Sequence, residues 1–264
     1  MTGSMKLTVI GCSGSYPGPD SAASCYLVER EHEGRTWRIL LDLGNGSLGT
    51  LHDYADPLDV DAVFLSHLHP DHCADLTGYY VLRRYHPHGP QPRIPVYGPQ
   101  GTAKRLAQAY GLPESPGMSA EFEFRVYDDQ PVRIGPLTID VARVVHPIAT
   151  YAIRVTDGAG TMVYSGDTGP CAALVELAKG SDCLLAEASF REGSDNPVDL
   201  HLTGREAGQA AADSGVGMLV LTHIPPWYDK QHAVDEARPV FDGRIELASV
   251  GATYEIRGSG RGWT

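Results

Sequence analysis

Ser66-His67-Leu68-His69-Pro70-Asp71-His72 gathers three imidazoles and a carboxylate into positions 67 to 72, directly after the apolar run Asp61-Ala62-Val63-Phe64-Leu65. Alternate residues of an extended chain leave it on the same side, so a strand running into this turn aims His67 and His69 at one point. Asp71 and His72 then face a second point. Imidazole nitrogens and carboxylate oxygens suit zinc, manganese or iron, and two such sets a few residues apart suit two ions. The bland alternative is an exposed histidine loop or an adventitious metal site. Four ligand-type residues in this order leave that alternative little room.

Three further residues extend the set in chain order. His146 ends the β-branched run Val141-Ala142-Arg143-Val144-Val145, Asp167 lies in Tyr164-Ser165-Gly166-Asp167-Thr168, and His223 follows Met218-Leu219-Val220-Leu221-Thr222. Each is expected at the end of a strand, where a rigid scaffold hands over to accessible loops. A lone histidine after a strand is more often structural than a ligand, but the ordered series is harder to explain that way. The spacing H-x-H-x-D-H, followed by His, Asp and His, resembles the metallo-β-lactamase superfamily. The resemblance implies two divalent metal ions, zinc or else manganese or iron, as cofactors. It puts His67, His69 and His146 on the first ion, Asp71, His72 and His223 on the second, and Asp167 between them. Asp71 is counted with the catalytic residues as well.

With 264 residues, 42% of them hydrophobic, the chain is long enough to bury a sizeable core, and one domain over residues 1–264 accounts for it. Cys12, Cys25, Cys73, Cys171 and Cys183 are odd in number and form no C-x-x-C pair, which reads as small buried hydrophobes in a reducing compartment. Residues 1–4 read as an expression remnant ahead of Met5, and 258–264 as a flexible tail. Nothing resembles a signal peptide or a membrane span, so the expected location is cytoplasmic, with no membrane partner. A formal net charge of −12 argues against nucleic acid, whose binding rests on neutralising phosphates. The one modest basic cluster, Arg83-Arg84 with His86 and His88, reads as a solvated helix end.

Strand-like segments fall at 6–10, 24–29, 37–42, 61–66, 94–97, 121–127, 137–145, 150–156, 161–165, 182–187, 216–222, 245–249 and 253–257. Helix-like segments fall at 47–54, 75–85, 100–110, 170–179, 203–214 and 230–240. Strands with little helix between them, then strands alternating with helices, suit two packed sheets with helices outside. The expected class is α/β, in the αββα four-layer sandwich of the superfamily it resembles.

The branch is read from His201-Leu202-Thr203-Gly204-Arg205-Glu206. Thr203 and Glu206 have the spacing of a capping box, which leaves His201 unexplained. It resembles the histidine of tRNase Z and related phosphodiesterases that serves as proton donor beside the dimetal site. Ala186-Glu187-Ala188-Ser189-Phe190 resembles their His-Glu-Ala-Thr segment, with Ala186 in place of the family histidine. Glu187 is read two ways: as the carboxylate that orients His201, or as a strand-end carboxylate paired with an arginine. The loop Gly11-Cys12-Ser13-Gly14-Ser15-Tyr16-Pro17-Gly18-Pro19 matches the same branch, its glycines permitting tight turns and leaving amides for an anion.

Only 21 positions separate His146 from Asp167, leaving no room for the tRNA-clamping arm that tRNase Z carries in this interval. The resemblance thus narrows to compact actinobacterial-type cyclic-nucleotide phosphodiesterases, through segments such as Arg83-Arg84-Tyr85-His86-Pro87 and Leu221-Thr222-His223-Ile224-Pro225-Pro226-Trp227. It implies hydrolysis of a small phosphodiester, such as 3′,5′-cyclic AMP, to a monophosphate, and a homodimer among its assemblies. The alternatives are a tRNase Z-like endoribonuclease or a lactone or β-lactam hydrolase. A dinuclear iron redox protein and a non-catalytic binding protein on the same scaffold are further off. Tyr16, Tyr79, Tyr85, Trp227 and Tyr228 are candidates for stacking on a base, with core or rim packing as the alternative for each.

Overall fold

A computed structural model of the chain describes residues 4–258. The expected remnant at 1–4 and tail at 258–264 therefore lie, except for Ser4 and Gly258, outside the described residues. The first sheet is built from β1 (Met5–Ser13), β2 (Ala22–Ala23), β3 (Cys25–His32), β4 (Arg35–Leu41), β5 (Ala62–Phe64), β6 (Ile94–Gly98) and β7 (Phe122–Val126). The second is built from β8 (Val132–Ile134), β9 (Leu137–Arg143), β10 (Tyr151–Thr156), β11 (Thr161–Tyr164), β12 (Cys183–Glu187), β13 (Met218–Thr222) and β14 (Arg244–Leu247). The last strand, β15 (Thr253–Ile256), returns to the first sheet and pairs antiparallel with β1.

The strand orders are β15-β1-β3-β4-β5-β6-β7, with β2 beside β1, and β14-β13-β12-β11-β10-β9-β8. Each sheet is an antiparallel meander continued by parallel strands: β4 to β7 in the first, β11 to β14 in the second. Strands buried on both faces read as unbroken apolar runs, because successive side chains point to opposite faces. Ile39 and Leu41 of β4 face the core between the sheets, while Leu40 faces the outer helices. In β13, Met218 and Val220 point inward and Leu219 and Leu221 outward. Helices α1 (Ser47–Leu51), α2 (Pro70–Cys73), α3 (Leu76–Arg84) and α4 (Thr102–Tyr110) belong to the first half of the chain. There Leu51, Leu76, Tyr79, Tyr80 and Leu106 pack on the outer face of the first sheet. Helices α5 (Ala172–Ala178), α6 (Gly204–Ser214) and α7 (Gln231–Ala237) cover the second. The result is helix, sheet, sheet, helix, as the αββα expectation required.

Several local expectations need correction. β2 and β8 were not foreseen; at two and three residues they are too short to show a period. The turn at 70–73 is a one-turn helix, because Pro70 with its fixed φ and missing N–H suits a first helical position. Arg83 is not solvated: it is 2% exposed, donates to Tyr79 Oη and the Pro92 carbonyl, and lies over the Tyr79 ring. Only Arg84 behaves as a helix-end charge, pairing with Glu121 at 2.8 Å. Tyr79 is fully buried with its hydroxyl donating to the Pro57 carbonyl, so no base can stack on it.

The Thr203 capping box is present, with Glu206 N donating to Thr203 Oγ1 at 3.2 Å and Thr203 N to Glu206 Oε2 at 2.9 Å. Just inside it, α6 meets α7 so closely that a Cβ on Gly204 would sit 2.3 Å from the Ala233 carbonyl oxygen. Gly204→Ala must therefore push α7 away, at roughly 1–3 kcal/mol for overpacking. We expect its thermal midpoint, followed by circular dichroism, to fall by several degrees; an unchanged midpoint would mean that the two helices separate freely.

Candidate functional site

The sheets deliver their polar residues to one end. Asp42 follows β4, His67 follows β5, Asp167 follows β11, Glu187 ends β12 and His223 follows β13. These are carboxyl ends of parallel strands, the side on which open α/β sheets bind ligands. His146, like His67 and Asp167, lies three residues beyond its strand, here β9, in a turn closed by Val144 N bonding the Thr150 carbonyl.

Two four-residue groups form there and share Asp167, and a third set, Glu187, His201 and His223, adjoins them. His67, His69, His146 and Asp167 make the first, and Asp71, His72, Asp167 and His223 the second; in each, one nitrogen or carboxylate oxygen per residue lies within 4.8 Å of all the others. In the first, His69 Nδ1 lies 3.0 Å from His67 Nε2 and 3.3 Å from His146 Nε2. In the second, His223 Nε2 lies 3.2 Å from both His72 Nε2 and Asp71 Oδ2. Asp167 turns Oδ2 toward His67 Nε2 at 3.6 Å and Oδ1 toward His72 Nε2 at 3.3 Å. All seven residues expected from the sequence thus meet, with Asp167 between the groups.

Hydrogen bonds behind the cluster fix which nitrogen faces inward. His146 Nδ1 donates to the Leu200 carbonyl at 2.9 Å. Ser189 Oγ, whose proton goes to the His223 carbonyl, accepts from His223 Nδ1 at 2.8 Å. His72 Nδ1 lies 2.7 Å from Asp42 Oδ2, and Ser66 Oγ, itself donating to that oxygen, lies 3.0 Å from His67 Nδ1. Each of these four rings then presents Nε2 as a lone pair. Facing lone pairs repel unless a cation lies between them, and an edge of roughly 3.3 Å is what tetrahedral ligands at 2.0–2.1 Å from zinc would span. Asp167 Oδ1, buried and without a hydrogen bond, is a second sign of an electron-pair acceptor.

Electrostatics agree. Burial, reinforced by neighbouring imidazoles, pushes the proton affinities of His67, His69 and His146 down. Burial also opposes charge on Asp71 and Asp167, but the surrounding histidines outweigh it and hold both carboxyls well below their usual range. His72 is the exception: against its burial, Asp167 and Asp42 raise its affinity for a proton, or for a metal in the proton's place.

His201 stands beside the groups. Its Nδ1 donates to Glu187 Oε1 at 2.9 Å and lies 3.9 Å from Asp167 Oδ2. The remaining contacts of the Glu187 carboxylate are the amides of Thr168 at 2.7 Å and Ser189 at 3.3 Å, and no arginine takes it among the described residues. Burial alone would lower the His201 pKa, yet Glu187 and then Asp167 raise it to about 9. The opening loop serves the site differently from the expectation of free amides. Gly14 N and Tyr16 N bond the Ile224 and Gly14 carbonyls, and a Cβ on Gly14 would sit 2.2 Å from the His223 carbonyl oxygen. His223 itself has φ 54, a left-handed conformation rare for a residue with a Cβ and typical of strained functional positions.

The beta-lactamase superfamily domain matches residues 37–224, which includes every residue of both groups. The chain belongs to the metallo-β-lactamase superfamily. Its members typically bind two metal ions, and this member is a metal-dependent hydrolase. It is 46% identical over 262 residues to the uncharacterized protein Rv1339 of Mycobacterium tuberculosis, covering 97% of this chain and 94% of that one. It is 31% identical over 259 residues to the probable metallo-hydrolase YhfI of Bacillus subtilis, covering 95% of this chain and all of that one. The YhfI crystal structure superposes with a TM-score of 0.83, covering 95% of this chain and 98% of that chain at 31% identity. Ribonuclease Z of Myxococcus xanthus is 28% identical over 308 residues, 96% of this chain and 98% of its own. That alignment is longer than the 264-residue chain, so the ribonuclease holds segments that this superfamily member lacks.

Asp42 is the site residue that sequence reading missed. It is fully buried and accepts from Ser66 N at 2.6 Å, from Ser66 Oγ and Tyr164 Oη at 2.8 Å, and lies against His72 Nδ1. Its one signal was a carboxylate directly after the apolar run Ile39-Leu40-Leu41. Partners of this kind are worth about 10–100-fold in metal affinity. Asp42→Asn should weaken zinc binding at one of two sites by about that factor in competition titrations with a chromophoric chelator. Two undiminished affinities would remove Asp42 from the metal centre.

Proposed function

We propose that the chain is a dimetal phosphodiesterase that hydrolyses a small phosphodiester, 3′,5′-cyclic AMP first among candidates, to the monophosphate. The observation that carries the reading is His201: outside the two groups that share Asp167, anchored by Glu187 through Nδ1 and raised in proton affinity, it suits a proton donor better than a ligand.

The donor set fits two divalent ions, zinc ahead of manganese or iron. His67, His69 and His146 would hold one, Asp71, His72 and His223 the other, and Asp167 both. When bound, such a pair supplies a water of lowered pKa and neutralises charge on the phosphoryl oxygens. Asp71, kept ionised by its histidines, can accept a hydrogen bond from the attacking water. His201 gives its Nε2 proton to the ribose O3′ as the bond from phosphorus to O3′ breaks, a contribution of roughly 10²–10⁴-fold. Glu187 holds Nδ1–H throughout and keeps the ring's orientation.

Substrate size rests on the β10–β11 hairpin. The strands end at Thr156 and begin again at Thr161, so the interval expected to be armless is a plain hairpin. With the charge of −12, this favours a small diester over a tRNA body. All five cysteines are free and all but Cys171 buried, which fits a reducing cytoplasm.

His201→Ala should keep two ions per chain by elemental analysis while turnover of cyclic AMP falls by about 10²–10⁴-fold. Bis-p-nitrophenyl phosphate, whose leaving group needs no proton, should lose far less. Loss of metal in that variant would make His201 a ligand instead. Asp167→Ala should release both ions and His67→Ala one, each abolishing activity, and a chelator should do the same to the parent enzyme. Efficient 3′-end cleavage of precursor tRNA with cyclic nucleotides untouched would reassign the chain as an armless endoribonuclease, and turnover of lactones or β-lactams alone would place it elsewhere in the superfamily.

A further inference from the structure

Beside the metal groups lies an aromatic pair that the proposed chemistry does not use. Tyr16 and Trp227 are 42% and 58% exposed, and their rings meet with centroids 5.4 Å apart at 33°. Among the described residues this is the only contact between two exposed aromatic rings; Tyr85 and Tyr110 both lean on the buried Tyr80. Exposed aromatic surface is unfavourable in water unless something covers it.

Both rings are tied to the second metal group. Ser15 N lies 3.4 Å from His223 Nε2, the atom that also faces Asp71, so Tyr16 starts one residue from the site. Trp227 lies four residues past His223, at most roughly 14 Å along an extended chain. The path is shorter, because Tyr228 N bonds the Pro225 carbonyl and Trp227 occupies the tip of that turn. Gly14 fits against the His223 carbonyl, and a Cβ on Gly18 would sit 2.7 Å from Pro226 Cβ, so the two loops support each other. Tyr228 stands edge-on to Trp227, with ring centroids 6.0 Å apart at 76°, and its own ring is held against His232 and under Arg191, so it backs the pair.

We infer that Tyr16 and Trp227 form the platform on which the base of a nucleotide substrate stacks while its phosphate reaches the metal groups. The inference rests on the phosphodiesterase reading and adds where the nucleoside is held. A neutral π-face suits this chain: with a net charge of −12 it repels an anionic substrate, and stacking needs no cation. Every base has a π-face, so the platform selects nucleotides over base-less diesters and discriminates weakly between adenine and guanine.

The test separates this proposal from the one beneath it. Trp37→Phe with Trp263→Phe leaves Trp227 as the sole tryptophan, and adenosine 5′-monophosphate should quench its fluorescence saturably. Kinetically, Trp227→Ala and Tyr16→Ala should each raise KM for cyclic AMP by about 5- to 100-fold, the range of a lost stacking partner. Their kcat and their rates on bis-p-nitrophenyl phosphate should stay near those of the parent, and Trp227→Phe should restore most of the affinity. A KM within two-fold of the parent in both alanine variants, or no quenching by the monophosphate, overturns the platform. A parent enzyme that cleaves bis-p-nitrophenyl phosphate but no cyclic nucleotide, with quenching intact, overturns the substrate assignment and leaves the platform standing.

Discussion

The buried carboxylate of Asp42 is the interaction on which the arrangement depends. A charge with no exposure to water is tolerable only when its hydrogen bonds are made, and this one is met by Ser66 N, Ser66 Oγ, Tyr164 Oη and His72 Nδ1. Those partners come from both sheets: Ser66 follows β5 of the first, and Tyr164 ends β11 of the second. One side chain therefore fixes the spacing of the layers and the tautomer of His72, and through Ser66 reaches His67 as well. Asp42 holds φ 59 to do this, strain that the surrounding bonds must sustain. Where the two sheets meet and where the two metal groups sit are thus not independent features.

Legibility in the sequence followed the range of the signal. The six-position motif after β5 was readable because its residues are contiguous and their chemistry is unmistakable, and strands buried on both faces announced themselves as apolar runs. His146, Asp167 and His223 were readable once each was found after such a run. Asp42 was not, because a single aspartate after a strand has no local mark separating it from a solvated turn. Its role depends on Tyr164, 122 positions away. Arg83 misled for the same reason. A pair of arginines at a helix end reads as solvent-facing, and only the carbonyl of Pro92 and the hydroxyl of Tyr79 make burial of one of them affordable. Glu187 stayed ambiguous until its partners were visible, since a carboxylate orienting a histidine and one paired with an arginine look alike along the chain.

The two kinds of histidine in the site differ by what stands behind them. His146 and His223 have a neutral carbonyl or hydroxyl at Nδ1, which fixes the ring. His201 has a carboxylate there, which both fixes the ring and favours the imidazolium. The same side chain is in this way prepared either to share a lone pair or to give up a proton. His72 also has a carboxylate at Nδ1, but Asp167 and Asp71 stand at 3.3 and 3.5 Å from its other nitrogen, so its Nε2 looks into the cluster. Position relative to Asp167, and not the backing group alone, divides the roles.

That division also constrains what can reach the centre. Asp167 lies between the two groups with one oxygen turned toward each, and the imidazoles left half-buried at this end are His69, His146 and His201. The net charge of −12 repels anions at long range. Attraction has to come from the ions the cluster would hold, which act strongly only over short distances at physiological salt. Under the proposed function, a ligand with one phosphate and one aromatic base would meet both the metal groups and the Tyr16–Trp227 pair. The compact β10–β11 hairpin and the acidic composition thereby act in the same direction as the site itself.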